Sequence, residues 1–371
     1  MSNAGRTGIG LIGSGTISSQ YLRNLTAFPD VEVHIVADLF VDKAAEQAAA
    51  FGVRESGPPE AALAHPDVDI IINLTIPAVH AEVSAAALES GKHVWTEKPL
   101  ALDRASGQSL LHRADTLGLR IGGAPDTILG AGLQTARRII ERGDIGTPLT
   151  GLTLFEVPGP ADDHRNLEVL LSHGAGPLWD MGPYYLTALT QVFGSFCSVQ
   201  ARGRIARPTR VIQVGPKAGQ EITVQVPTHV SVMTEFETGQ LATTVLSWDC
   251  PHRRIGHIEI VGTEGTLSIP DPNEFDGHLA ICHRGDSEWT PIRSTGAVGG
   301  RGLGALDIAR SVRAGVPHRA SGELAYHVLD TMVSITESIE RGMPVTVQSR
   351  AQKPLPLPEG WDPYTRTFSD N

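Results

Sequence analysis

Three groups of residues in this chain have types and spacings that could do chemistry. The first is Lys98, held between Glu97 and Pro99 in the stretch Gly91-Lys92-His93-Val94-Trp95-Thr96-Glu97-Lys98-Pro99-Leu100. An ammonium group there can stabilise an oxygen on which negative charge develops, and the following proline restricts the backbone that carries it. The second is Gly13-Ser14-Gly15-Thr16-Ile17-Ser18, a G-x-G-x-x-S run. Its first glycine permits a tight turn and its second lets the backbone approach a pyrophosphate. The third is the pair Asp180 and Tyr184, four residues apart in Trp179-Asp180-Met181-Gly182-Pro183-Tyr184. On a helix such a pair projects toward one side. Each group also has a plainer reading: lysines before prolines are mostly exposed, aspartates cap helices, and tyrosines pack with the hydroxyl at a surface.

The elements that must position these groups alternate in type along the first third. Thr7 to Ile12 is apolar and β-branched, and the glycine run follows it directly. Ile17, Tyr21, Leu22 and Leu25 then share a helical face. Val31 to Ala37 reads as a second strand and ends at Asp38, the place of a ribose-binding acid. The alternative for Asp38 is a cap on the helix expected over Asp42 to Phe51. Val68 to Leu74 is a strand apolar enough to be covered on both faces. Thr75-Ile76-Pro77 breaks it, and Ala78 to Ser90 reads as a helix ended by Gly91. A strand over Lys92 to Trp95, a helix over Asp103 to Leu117 and a strand over Leu119 to Gly123 complete the series. This alternation predicts a doubly wound parallel sheet. Ligands sit outside the carboxyl ends of such strands, which gathers Gly13, Asp38, Thr75, Pro77 and Lys98 along one edge. His80, at the start of its helix, is expected to satisfy backbone groups rather than to do chemistry.

Composition excludes several classes. Hydrophobic residues make up 41% and charged residues 19%, with a formal net charge of -11, so a soluble globular protein is expected. The chain has no basic stripe and is not expected to bind nucleic acid or anionic membranes. Cys197, Cys250 and Cys282 are scattered and odd in number, which fits a reducing compartment and gives no thiolate metal site. No apolar run approaches the ~20 residues of a membrane span, and the N-terminus has no signal-peptide pattern. A cytoplasmic protein is expected. Neither a His-Glu-x-x-His pattern nor a Gly-x-Ser-x-Gly elbow is present, so neither metal catalysis nor a serine nucleophile is expected.

Beyond Gly123 the alternation stops. Leu129 to Glu141 reads as a helix and Leu149 to Val157 as a strand, followed by a polar loop containing His164. A glycine loop then enters a helix, with Asp180 near its N-cap and Pro183 in its first turn. Thr228 to Phe236 with Leu241 to Trp248, and Ile255 to Val261 with Thr266 to Ile269, read as two hairpins. Helices are expected over Leu303 to Arg313 and Gly322 to Arg341. These patterns divide the chain into a dinucleotide-binding Rossmann domain over residues 5–124 and a largely antiparallel sheet domain with C-terminal helices over residues 125–371.

The residues Gly10-Leu11-Ile12-Gly13-Ser14-Gly15, Asp38, Pro77 with His80, and Gly91-Lys92-His93-Val94-Trp95-Thr96-Glu97-Lys98-Pro99 carry a resemblance. The chain resembles the Gfo/Idh/MocA family, named after glucose–fructose oxidoreductase, inositol dehydrogenase and a rhizopine-catabolism protein, over nearly its whole length. The resemblance implies an NAD(P)-dependent oxidoreductase of a sugar, glycoside or cyclitol, with NAD favoured over NADP because Asp38 would repel a 2′-phosphate. It implies cofactor contacts at Gly13, Gly15, Thr16, Ile17, Asp38, Thr75, Pro77, His80, Glu97 and Lys98. Lys98 corresponds to the family lysine, whose bond to the next proline is often cis. Family members commonly read Asp-x-Gly-x-His where this chain reads Asp180-Met181-Gly182-Pro183-Tyr184, so Tyr184 stands at the acid–base position. Tyrosine stands there also in glucose–fructose oxidoreductase and in dihydrodiol and xylose dehydrogenases of the family. Catalysis is therefore expected from Lys98, Asp180 and Tyr184, with Asp180 orienting the lysine or binding a substrate hydroxyl. The substrate is expected to meet Lys98, His164, Asp180 and Tyr184. The resemblance further implies a homodimer or homotetramer formed through the C-terminal sheet. Two other readings are an NAD-dependent glycosidase that works by transient oxidation and a non-catalytic dinucleotide sensor. The lysine, aspartate and tyrosine together argue against the sensor, which needs no proton-transfer group.

Overall fold

The structure, a computed structural model, describes residues 5–160 and 166–367. Its chain forms two compact units. The first takes in the chain up to Gln134, then Thr295–Leu329 and the chain from Pro354; the second takes in Thr135–Ser294 and Asp330–Lys353. A single boundary at 124/125 therefore misses two late segments that return to the first unit. The earlier of the two packs on Trp95. Gly304, in the helix Leu303–Ala314, lies so close to that indole that a Cβ would stand 2.1 Å from it.

The first unit is built on six strands: β1 (Thr7–Ile12), β2 (Val31–Ala37), β3 (Glu55–Gly57), β4 (Ile70–Asn73), β5 (His93–Thr96) and β6 (Ile121–Gly123). Their order is β3-β2-β1-β4-β5-β6, and every neighbouring pair is parallel. Both β1 and β4 are buried at every residue, as strands covered on both faces must be. The strand order reverses between β1 and β4, the place where such sheets open a ligand crevice. Helices α1 (Ser18–Leu25), α2 (Val41–Phe51), α3 (Pro59–Ala64), α4 (His80–Glu89) and α5 (Arg104–Thr116) follow the first five strands in turn. Helix α1 buries Tyr21, Leu22 and Leu25, the face that the apolar spacing marks. The Asp103 side chain caps α5 by accepting from the Ser106 N–H, which satisfies one of the donors a helix start leaves open.

The second unit carries a nine-stranded sheet. In spatial order its strands are Thr290–Ile292, Leu279–His283, Gly265–Ile269, Arg254–Gly262, Pro148–Glu156, Leu241–Ser247, His229–Phe236, Phe196–Arg204 and Val345–Thr346. The two hairpins read from the sequence are present and antiparallel. One pairing departs from that pattern: Pro148–Glu156 runs parallel to Leu241–Ser247, so the sheet is mixed. Burial alternates along His229–Phe236, the signature of a sheet with one covered face. The helix Gly176–Phe193 covers that face, with Leu189 and Phe193 at the site where a Cβ on Gly151 would fall. Phe193, Phe236 and Phe196 continue the core, at centroid separations of 4.8 and 4.6 Å. Met233, Leu241 and Val261 are exposed. Among the described residues no helix is long and apolar enough to cross a membrane.

Candidate active site

In the first unit the strand ends bring the sequence-predicted residues to one edge. Past β1, the Gly13 N–H donates to the Ala37 carbonyl at 2.8 Å, and the chain turns with Gly13 at φ 107°. A Cβ on Gly13 would stand 2.6 Å from the Leu74 carbonyl, so glycine is required by sterics as well as by the dihedral. Gly15 is different. A Cβ there would meet no protein atom within 4 Å, and its exposure leaves the backbone open to a ligand such as a pyrophosphate. Thr16 is exposed beside it and Ile17 is half-buried. Ser18, in place of the third glycine, is fully buried, and its hydroxyl donates to the Gly15 carbonyl at 2.6 Å. The serine thus closes the turn it stands in.

Asp38 follows β2 and is tied to the glycine loop. Its Oδ2 accepts from the Ser14 N–H at 2.7 Å and from the Ser14 hydroxyl at 2.8 Å, while Oδ1 accepts from the Phe40 N–H at 2.9 Å. Burial opposes its charge, yet the bonds from Phe40 and Ser14, with Lys43 nearby, hold the carboxyl below its ordinary range. The helix-cap alternative does not hold, because α2 has Phe40 at its N-cap position and no capping side chain. These residues fit a dinucleotide: an open glycine at a helix start and an ionised acid at the end of the next strand.

Past β4, the Thr75 hydroxyl donates to Asn73 Oδ1 at 2.6 Å, and Pro77 opens a short 3-10 turn. His80 is buried, and its ring nitrogens lie 2.7 Å from the Pro99 carbonyl and 3.0 Å from the Thr75 carbonyl. It therefore joins the loop after β4 to the loop after β5, the backbone-satisfying part expected of it, and both ring nitrogens are taken by protein.

Past β5, Glu97 is buried, and its carboxylate is likewise engaged within the protein. The Tyr21 hydroxyl donates to Oε1 at 2.8 Å, and the Lys98 N–H donates to Oε2 at 3.0 Å. Trp95 Nε1 donates in turn to the Tyr21 oxygen at 3.1 Å. Burial, reinforced by the carboxylates of Glu97 and Asp126, pushes the Tyr21 hydroxyl far above its ordinary pKa, so it stays a donor. Lys98 is half-buried, and its bond to Pro99 is cis, as is Ala124–Pro125. Asp126 is fully buried and accepts from the N–H groups of Gly302 and Gly304 at 2.8 and 3.2 Å. Tyr21 and Asp126 were not among the residues picked out by sequence. Tyr21 reads only as part of an apolar helix face, and its polar partner stands 76 residues away.

In the second unit Asp180 and Tyr184 both lie on the helix Gly176–Phe193. Asp180 is half-buried and Tyr184 is buried. The expectation that Asp180 stands near the N-cap and Pro183 in the first turn is corrected here. The helix begins at Gly176, Pro177 occupies the first turn, and Pro183 lies inside. Proline favours the first turn because no helix bond is asked of its nitrogen, and Pro177 is the residue that marks it. Inside the helix, Pro183 cannot donate to the Trp179 carbonyl one turn back. Tyr185, the neighbouring phenol, accepts from the Gly256 N–H at 2.9 Å and is fully buried. His164 lies outside the described residues.

A family model described as "Oxidoreductase family, NAD-binding Rossmann fold" matches residues 7–123, and a model of the GFO/IDH/MocA C-terminal domain matches residues 133–268. The scyllo-inositol 2-dehydrogenase (NAD(+)) of Bacillus subtilis is 24% identical over 264 residues, covering 70% of this chain and 72% of its own. The levoglucosan dehydrogenase of Pseudarthrobacter phenanthrenivorans is 26% identical over 282 residues, covering 70% and 72%. The crystal structure of an NAD binding oxidoreductase from Klebsiella pneumoniae shares the fold, with a TM-score of 0.83 at 22% identity over 93% of this chain and 100% of that one. The chain belongs to the GFO/IDH/MocA family and is an NAD-binding oxidoreductase.

Proposed function

We propose that this protein is an NAD-dependent dehydrogenase that moves hydride between the nicotinamide and a secondary alcohol or ketone of a sugar, glycoside or cyclitol. The observation that carries this reading is the placement of three groups past strands of one parallel sheet: the open Gly15 after β1, Asp38 after β2 and Lys98 after β5. Relatives named for inositol and levoglucosan oxidation support the substrate class. NAD held at this edge supplies the hydride acceptor. The Lys98 ammonium binds the carbinol oxygen and offsets the negative charge that builds on it as hydride departs. Tyr184 takes the hydroxyl proton in oxidation and returns it in reduction, and Asp180 binds a further substrate hydroxyl. Incubation with NAD⁺ and a panel of inositols, levoglucosan, D-glucose and D-xylose, followed at the NADH absorbance, tests the assignment. Turnover of at least one polyhydroxylated secondary alcohol is expected; inertness toward all of them, in both directions, would remove the substrate class.

The exposed sheet face of the second unit supports a homo-oligomer. Leu241 and Val261 both pair with Thr150 in register, so they stand in one row across the sheet, and Met233 is exposed on the strand beyond Leu241. Sedimentation should give a dimer or tetramer, and Leu241→Lys should shift it toward monomer; a wild-type monomer at micromolar concentration would contradict this.

A further inference from the structure

We infer that Tyr21, on the helix that starts at the glycine loop, is a positioning residue for Lys98. This rests on the proposed role of Lys98, and the experiment below separates the two. The Lys98 main-chain N–H is held by Glu97 Oε2, the other oxygen of that carboxylate by the Tyr21 hydroxyl, and the Tyr21 oxygen by Trp95 Nε1. Tyr21 and Trp95 are completely buried and Glu97 is 9% exposed. The Glu97 N–H is fixed separately by the Asn73 carbonyl at 2.9 Å. The backbone at the root of the lysine is thus tied to β4 through Glu97's own amide and to α1 through its side chain.

Packing alone does not account for this arrangement. A phenylalanine would fill the Tyr21 site with the same ring, and a buried hydroxyl is costly unless it is bonded. Here the hydroxyl makes two bonds, and the one it donates ends on the carboxylate that holds Lys98. Loss of one partner leaves the carboxylate under-satisfied in a buried site, where it regains a bond only by moving. Such movement carries the lysine backbone with it. Displacements of about 1 Å in a reacting group are enough to slow a reaction up to ~10²-fold. Because α1 begins at the cofactor loop, the chain of bonds links the helix that receives the dinucleotide to the residue proposed to act on the substrate.

Three variants decide it: Tyr21→Phe, Glu97→Gln and their double, with Lys98→Met alongside. The readouts are kcat on the fastest substrate of the panel above, NADH affinity by fluorescence titration, and melting temperature. Glu97→Gln places an amide donor opposite the Lys98 N–H if its oxygen keeps Tyr21. Tyr21→Phe is expected to lower kcat about tenfold while NADH affinity stays within about threefold. Adding it to Glu97→Gln should lower kcat little further, because residues acting through one network are non-additive. Effects that multiply in the double variant, or an unchanged kcat in Tyr21→Phe beside an inactive Lys98→Met, would overturn the positioning role. Full activity in Lys98→Met would instead overturn the role of the lysine. Should Tyr21→Phe fail to fold, Glu97→Gln carries the test: an unchanged kcat there overturns the proposal, and a selective fall in kcat supports it.

Discussion

The Asp38 carboxylate and Ser14 are joined by two hydrogen bonds, one from the main-chain N–H at 2.7 Å and one from the hydroxyl at 2.8 Å. The acid proposed to meet the adenosine ribose is therefore held by the loop proposed to meet the phosphates. With its pKa depressed against the pull of burial, it stays charged through the neutral range. A 2′-phosphate placed there meets a fixed like charge, which costs several kcal/mol. NAD⁺ should bind at least about 100-fold more tightly than NADP⁺, and Asp38→Ser should reduce that ratio to within about tenfold. Isothermal titration with both dinucleotides measures it, and equal affinities in the wild type would reverse the assignment.

Lys98→Met should lower kcat on the order of 10²-fold or more, the range for losing a positioned charge donor, with NADH affinity changed by no more than about threefold. Stopped-flow hydride transfer beside a fluorescence titration separates these terms. A loss confined to cofactor binding would make the lysine a cofactor ligand rather than a catalytic group.

Tyr184→Phe keeps the ring and removes the hydroxyl. A phenol ordinarily titrates near ~10, so the phenolate that can accept a proton is populated only as pH rises. Oxidation should quicken toward alkaline pH in the wild type, with reduction flatter near neutrality, and the variant should lose the alkaline gain. A wild-type oxidation rate in Tyr184→Phe would make the residue structural.

Asp30 joins three parts of the first unit. Its carboxylate accepts from Arg310 Nε at 2.8 Å and from the N–H and hydroxyl of Thr367 at 2.9 and 2.7 Å. Burial opposes its charge, but the bonds from Thr367 and Arg310 outweigh that and depress the pKa. A depressed carboxylate stabilises the fold fully above its unfolded value of ~3.9 and loses that contribution as pH falls through the native value. Asp30→Asn should cost roughly 1–3 kcal/mol near neutrality, read from urea midpoints. The gap to the wild type should narrow below pH ~4; a gap independent of pH would remove the charge from the explanation.

Much of the first unit was legible because its strands are apolar and its helices amphipathic. β1 and β2 fall where the pattern puts them, and so does the helix Gly322–Arg341. β3 was missed: it has three residues, of which Gly57 alone is buried, and so short an element carries no periodicity. The parallel pairing of Pro148–Glu156 with Leu241–Ser247 was equally out of reach, since hairpin signals report only on neighbours in sequence. Asp38 was placed by motif spacing, but its Ser14 partner follows from the fold. Tyr21 shows the limit most clearly, because an apolar-face position conceals a hydroxyl whose partner is set by tertiary structure.

The contact of Gly304 with Trp95 bears on how the chain comes off the ribosome. The parallel sheet is encoded first, yet the helix Leu303–Ala314 that packs on its Trp95 indole emerges after the whole of Thr135–Ser294. A chain ending at residue 134 lacks the Gly304 contact on that indole, and its Asp126 lacks the amides of Gly302 and Gly304. Synthesis from the N-terminus ordinarily lets the leading domain fold before the next. Here the leading unit waits, and it is closed only after the whole of Thr135–Ser294 has been made.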